Sequence, residues 1–297
     1  MLIHKSKQVI NLNNIEKYVD NSNQHSCVII DTGISPHIDF CLGRNRIIAF
    51  VDMVNENVDV LYDDNGHGTF VAGVMCGKSI SDKYSGIDTN CNIIVIKALD
   101  NAGETTVGGV LKAVDWVCKN KQKFNIKVVC MSFGSEVSGV DDPLISAVEW
   151  LWNIGIVVVC AGGNSGPNKQ TIMSPGACRK VITVGALDES DGINFGVAEF
   201  SSRGPVFNYY KPDLVVPGVD IISTDIFGFS GKFYTKMSGT SVATPIVAGV
   251  ASLLFKVNPN YTPDQIKYML VKSCVPINGD RNVEGFGRLD LSRLKLL

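Results

Sequence analysis

Apolar residues in this chain gather in short blocks rich in valine and isoleucine, at 27–31, 93–98, 127–131, 156–160 and 181–185. Each block is apolar on nearly consecutive positions rather than alternate ones, as a strand must be when both faces of its sheet are covered. Between blocks the period changes. In 108–122, Val110, Leu111, Val114, Val117 and Cys118 fall on one face at helical spacing. Thr262-Pro-Asp-Gln265 supplies an N-cap, a proline at the first helical position and a glutamine three residues past the cap. This predicts a helix running on through Ile266, Met269 and Leu270. Strands alternating with helices predict an α/β fold, a doubly wound, mostly parallel central sheet flanked by helices. No repeat or Pro/Ser-rich linker divides the chain, so one domain over 1–297 is expected.

With 45% hydrophobic and 19% charged residues, the chain can bury a large core. Its net charge is -2 and it has no long basic run, so nothing attracts the phosphate backbone of a nucleic acid. The longest apolar stretch, 242–255, is interrupted by Thr244, Pro245 and Ser252 and is too short to span a bilayer. Lys5, Lys7 and Gln8 break up the first ten residues, which lack the apolar core of a secretion signal. No membrane partner and a cytoplasmic location are therefore expected. Nine cysteines is an odd number, and Cys27, Cys130 and Cys160 sit inside strand blocks, with no C-x-x-C pair. That pattern predicts buried reduced thiols and no zinc site.

Three segments carry candidate chemistry. Asp31 ends the first strand block, His67 lies in Asn65-Gly-His-Gly-Thr69, and Ser241 lies in Met237-Ser-Gly-Thr-Ser-Val-Ala-Thr-Pro245 at the head of an apolar run. Taken singly each has a plain alternative. An Asp-Thr-Gly can be a turn, a His-Gly can be a turn, and a Gly-Thr-Ser can cap a helix or bind an anion. Together they are the parts of an acyl-transfer triad, in which a carboxylate orients a histidine that activates a serine. Ligands of parallel α/β sheets collect beyond the carboxyl ends of strands. Asp31, Ser132 to Gly134 and Ala161 to Asn164 are thus expected to share one edge.

Ile-Asp-Thr-Gly around Asp31, Gly-His-Gly-Thr around His67 and Gly-Thr-Ser-Val-Ala-Thr-Pro around Ser241 closely resemble the three signatures of the subtilisin-like serine proteases. Met-Ser-Phe-Gly134, Ala-Gly-Gly-Asn164, Phe-Ser-Ser-Arg-Gly-Pro205 and Lys-Pro-Asp-Leu-Val-Val-Pro-Gly218 add to the resemblance, which covers 25–290 and is similar to compact intracellular bacterial members. It implies Ser241 as nucleophile, His67 as general base and acid, Asp31 as its orienting carboxylate and Asn164 as oxyanion donor. It further implies an extended peptide substrate pairing with Gly103, Glu104 and Thr105 on one side and Ser132, Phe133 and Gly134 on the other. Ala161, Gly162 and Gly163 would form a wall of the pocket for the residue before the scissile bond.

Met173 falls near the floor of that pocket, and 165–176 contains no carboxylate, so small or medium apolar residues are expected there rather than Arg or Lys. No cofactor is needed for such chemistry. Relatives commonly hold structural calcium in a loop matching 77–84, but Lys78 and Lys83 degrade it, leaving Asp39 and Asp82 as possible ligands and no assigned metal site. Residues 1–24 are expected to be an extension, either a short inhibitory segment or a surface helix around Asn13 to Val19. The biological role implied is protein turnover or maturation of a dedicated peptide by leader removal. The competing readings are a catalytically silent peptide-binding relative and, more remotely, a nucleotide-binding sheet without a G-x-G-x-x-G loop.

Overall fold

A computed structural model describes residues 1–55, 60–189, 195–226 and 232–297. In chain order the strands are β1 (Ser26–Asp31), β2 (Ile47–Asp52), β3 (Asn92–Lys97), β4 (Ile126–Met131), β5 (Val157–Ala161), β6 (Ile182–Asp188), β7 (Gly196–Val197), β8 (Leu214–Pro217), β9 (Ile221–Thr224), β10 (Tyr234–Met237), β11 (Cys274–Val275) and β12 (Arg288–Leu289). The helices are α1 (Ile3–Val9), α2 (Asn13–Glu16), α3 (Ile38–Cys41), α4 (His67–Cys76), α5 (Val107–Asn120), α6 (Pro143–Asn153), α7 (Thr240–Val257), α8 (Pro263–Lys272) and α9 (Arg281–Glu284). The five valine-rich blocks coincide with β1, β3, β4, β5 and β6.

The main sheet runs β11-β12-β8-β6-β5-β4-β1-β3-β2, with β7 paired to β6, and β9 with β10 forms a separate ribbon. Its pairings are parallel except at β7 and β11. Every residue of β1 and β5 is buried, which explains why their sequences do not alternate. Helix α6 and helix α7 both pack on β5, so that strand is covered on both faces. Strand β1 lies between β3 and β4, and the chain reverses its direction of travel across the sheet there. Such a reversal opens a crevice at the carboxyl ends of the strands.

In α5, Val110, Val114 and Val117 face the core as the spacing predicts, while Leu111 is 36% exposed. Helix α8 begins with the expected capping box between Thr262 and Gln265. The N-terminal segment is packed into the protein more firmly than a surface extension would be. Ile3, Ile10, Leu12 and Ile15 are buried in the main core, and only Asn13–Glu16 of the expected surface helix is helical. Met1 carbonyl accepts Ile222 N–H (2.8 Å), Ile10 carbonyl accepts Leu291 N–H (2.8 Å), and Asn11 Nδ2 donates to Asp290 Oδ1 (2.8 Å). These bonds fasten residues 1–16 to β9 and the 288–291 region, and no residue of 1–24 lines the cleft described below.

Helix α7 runs through the middle of the molecule against β4, β5, β6 and β8. It is the one helix among the described residues long and apolar enough to cross a membrane, and 89% of it is buried in the protein. Of its eighteen residues only Ser241 and Val257 are not buried.

Candidate active site

Asp31 is the last residue of β1 and is fully buried, and His67 is the first residue of α4. Their approach is made possible by glycines. Gly66 caps α4 with a φ of 99°, a left-handed conformation costly for other residues. A Cβ on Gly68 would lie 2.3 Å from Gly33 carbonyl oxygen and 3.2 Å from Asp31 Cβ. The first turn of α4 therefore sits directly on the end of β1, and His67 Nδ1 reaches Asp31 Oδ1 at 2.7 Å. The same Oδ1 accepts Thr32 N–H at 2.8 Å. Burial pulls the His67 pKa down, but the Asp31 charge and hydrogen bond, with Asp63 adding to them, leave it above the ordinary imidazole value. With Nδ1 held by a carboxylate, Nε2 is the nitrogen left for proton transfer.

Ser241 follows Thr240, and Thr240 fixes Asn164. Asn164 Oδ1 accepts both the N–H (2.9 Å) and the hydroxyl (3.0 Å) of Thr240, whose hydroxyl in turn accepts Gly163 N–H (3.1 Å). Two donors on one side-chain oxygen define the amide orientation, so Asn164 Nδ2 is the group turned toward the cleft. A Cβ on Gly239 would stand 2.9 Å from Ser241 Oγ and 3.4 Å from Asn164 Nδ2. The nucleophile candidate and the amide donor thus flank one small space that a side chain at position 239 would fill. The positive end of the α7 dipole points to the same place, so negative charge developing there is stabilised.

His67, Ser241 and Asn164 line a cleft of about 520 Å³ together with Gly103, Ser132, Phe133, Gly134, Ala161, Gly163 and Met173. Glu104 and Thr105 lie in an adjoining depression that also touches Phe133 and Gly134. Two expected contacts need correction. Glu104 N–H donates to Asp100 Oδ1 (2.9 Å) and its carbonyl accepts Asp100 N–H (2.9 Å), so the Glu104 backbone is closed into a local turn and does not offer a free strand edge. Gly162 is absent from the cleft lining. Its N–H goes to Val184 carbonyl and its carbonyl takes Met173 N–H, each at 2.9 Å, placing it beneath the wall that Ala161 and Gly163 form.

Met173 stands between the two walls. A Cβ on Gly134 would fall 2.8 Å from Met173 Cβ, and one on Gly163 would fall 2.6 Å from Met173 Cγ. Reciprocal 2.9 Å bonds between Ser135 and Ser174 tie the walls together just below.

A second Asp, Ser, His set has a different character. Ser252 Oγ donates to Asp88 Oδ2 (2.6 Å) and meets His25 Nε2 (2.9 Å), with Lys256 Nζ on Asp88 Oδ1 (2.5 Å). The serine bridges the carboxylate and the imidazole instead of ending the chain, and Ser252 and Lys256 are fully buried. No substrate reaches it. This is an internal polar network satisfying charges under α7.

Of the two possible calcium ligands, Asp39 is already partnered. Both carboxylate oxygens of Asp39 accept the Tyr234 hydroxyl (3.2 and 3.0 Å), Ser79 Oγ bonds the same hydroxyl (2.9 Å), and Tyr84 stacks on the Tyr234 ring at 4.1 Å. No group of three or more His, Cys, Asp or Glu suited to a metal occurs among the described residues. The Asp39 carboxylate is thus engaged by a tyrosine hydroxyl.

Sequence reasoning passed over Asp63. It is 5% exposed and accepts five hydrogen bonds from residues on either side of the triad pair. The available signal was an acidic residue just ahead of a helix start.

Residues 24–287 match the Subtilase family. Serine protease AprX of Bacillus subtilis (strain 168) is 45% identical over 266 residues, covering 82% of this chain and 59% of AprX. The thermostable alkaline protease of Halalkalibacterium halodurans is 32% identical over 265 residues, 89% of this chain and 66% of that protein. Against these two relatives the chain spans less than two thirds of their length. Subtilisin DY of Bacillus licheniformis is 32% identical over 266 residues, with 89% and 88% covered. Among solved structures, a cold adapted subtilisin-like serine proteinase superposes with a TM-score of 0.75 at 33% identity, covering 91% of this chain and 89% of that one. Sphericase gives 0.78 at 27% identity, covering 91% and 92%. The chain belongs to the subtilase family.

Proposed function

We propose that this protein is a serine endopeptidase that cleaves peptides bound in an extended conformation. The observation carrying the proposal is the convergence of the His67–Asp31 pair, Ser241 Oγ and Asn164 Nδ2 on one cleft. In the reaction, Ser241 Oγ attacks the scissile carbonyl carbon while His67 Nε2 takes its proton. Asn164 Nδ2–H and the Ser241 backbone N–H hold the oxyanion, a contribution of about 3 kcal/mol to the barrier. His67 then delivers the proton to the leaving amine, and a water activated by the same imidazole releases the acid from Ser241. Asp31 keeps the productive tautomer and stabilises the imidazolium. No metal takes part in these steps.

Backbone pairing along Ser132 to Gly134 and past Gly103 would hold the substrate, a form of strand addition. Selectivity at the residue before the scissile bond rests on Met173, whose thioether crosses the space between Gly134 and Gly163. This favours alanine to leucine-sized residues over arginine. The nine free cysteines, seven of them buried, suit a reducing, cytoplasmic setting. Leader removal from a dedicated peptide and general turnover both fit an enzyme of this kind.

The test is labelling by a serine-directed phosphonate followed by sequencing of the products from a peptide library. Labelling at Ser241 and cleavage after small or medium apolar residues, both abolished in Ser241→Ala, are expected. An unlabelled, inactive folded protein would return the chain to the class of peptide-binding relatives. Met173→Ala should move the preference toward larger side chains; an arginine preference in the parent enzyme would overturn the pocket assignment.

A further inference from the structure

Asp63 Oδ1 accepts the Thr32 hydroxyl (2.9 Å), Asn65 N–H (3.1 Å) and Gly66 N–H (2.8 Å). Its Oδ2 accepts the N–H (2.8 Å) and hydroxyl (2.7 Å) of Thr69. Thr32 directly follows Asp31, while Gly66 and Thr69 stand on either side of His67. The Thr32 hydroxyl also accepts Gly68 N–H at 2.9 Å, so the carboxylate, the hydroxyl and the helix end form a closed circuit. Every strand of that circuit ends next to a triad residue.

We propose that Asp63 is a positioning residue of the triad, setting the end of β1 and the first turn of α4 against each other so that Asp31 meets His67, and adding its charge to the field at the imidazole. The proposal rests on the endopeptidase reading above. Bonds to a carboxylate are stronger than neutral ones, and five of them on one buried group leave the two elements little freedom. Two negative charges act on the imidazole. Asp31 comes from the end of β1 and Asp63 from the segment before α4. Lys97, from β3, bonds the Thr32 carbonyl and Asp64 Oδ1, each at 2.6 Å. Lys97 is thus committed to Asp64 and to the backbone beside Asp31, which leaves Asp63 as a second negative charge raising the proton affinity of His67.

The two contributions separate in two variants. Asp63→Asn removes the charge and sets an NH2 group against one pair of donors. Thr32→Val keeps the charge and cuts the bridge to Gly68. Phosphonate labelling of the parent enzyme at Ser241 first secures the reading on which the test depends. Asp63→Asn, shown folded by near-UV circular dichroism, is then expected to lose at least tenfold in kcat with KM within about twofold. The acid limb of its kcat/KM profile should also move to lower pH. Thr32→Val is expected to lose kcat with its acid limb unmoved. An Asp63→Asn enzyme with parental kcat, or with a kcat loss but an unmoved acid limb, overturns the proposal. If Asp63→Asn does not fold, Thr32→Val decides: parental kcat there overturns it and a kcat loss at constant KM upholds it.

Discussion

His25 is the clearest place where the fold pays for burying a titratable group. The ring is 3% exposed, lies edge-on to Phe255 with centroids 5.8 Å apart, and contacts Ser252 Oγ at 2.9 Å. Burial is the main cause that drives its pKa from 6.5 down to about 4. The sign follows from proton counts. Below about pH 6.5 the unfolded chain binds a proton at this histidine while the native protein does not, so stability falls with pH until the native ring also protonates near 4. At about 1.4 kcal/mol per pH unit, that window costs about 3 kcal/mol, a large part of the 5 to 15 kcal/mol typical of a folded domain. Denaturant unfolding at pH 7, 6, 5 and 4 measures it. Both proteins should carry Ser241→Ala so that self-digestion cannot intrude. His25→Gln keeps a donor for Ser252 without titrating, so losses from other groups are common to the pair. The parent is expected to lose about 3 kcal/mol more than His25→Gln between pH 7 and pH 4. Equal losses in the two proteins would refute the reasoning.

Because His67 must be neutral to accept the serine proton and its pKa is raised, activity should fall on acidification at a pH above the ordinary imidazole value, as read from kcat/KM against pH. Asp31→Asn should reduce kcat by about 10⁴; a loss under tenfold would contradict the 2.7 Å pairing. Asn164→Ala should cost about 10² to 10³ in kcat with little change in KM. Thr240→Val, which removes one of the two donors fixing Asn164, should cost less and in the same parameter. Tyr234→Phe strips a hydrogen bond from Asp39 and should lower stability by about 2 kcal/mol, while a calcium chelator should leave the melting temperature of the parent unchanged. A chelator-induced drop would show that a cation site exists elsewhere.

The strands at 27–31, 93–98, 127–131, 156–160 and 181–185 were legible because burial on both faces leaves an uninterrupted apolar run. Strand β2 was not, since only Ile47 is buried and the rest of Ile47–Asp52 is half-covered or exposed. The ribbon of β9 and β10 was equally silent, with Thr, Ser and Lys among its residues. Asp31, His67, Ser241 and Asn164 could be picked out because each sits in a local signature of glycines and hydroxyl residues. Asp63 could not, because its meaning lies in bonds to Thr32, thirty-one positions away. The turn that closes Glu104 on Asp100 escaped for the opposite reason: Asp-Asn-Ala-Gly reads as an ordinary loop until the hydrogen bonds are traced. At the N-terminus, the expected inhibitory segment or surface helix around Asn13 to Val19 gave no sign of docking, and only the bonds of Met1, Ile10 and Asn11 to partners hundreds of residues later show it.

That docking sets an order on biosynthesis. Residues 1–16 are synthesised long before the Leu291 N–H, Asp290 and the Arg288 guanidinium that bind Ile10, Asn11 and Val9. Strand β1 likewise waits for β3 and β4, whose partners for Ser26 are Asn92 and Ile126. Contacts so distant in sequence form slowly. Ser241 takes its place only when α7 packs against β4, β5, β6 and β8, so a nascent chain carries Asp31 and His67 long before it carries a nucleophile. The two docked segments form one seam, so damage to either would undo it.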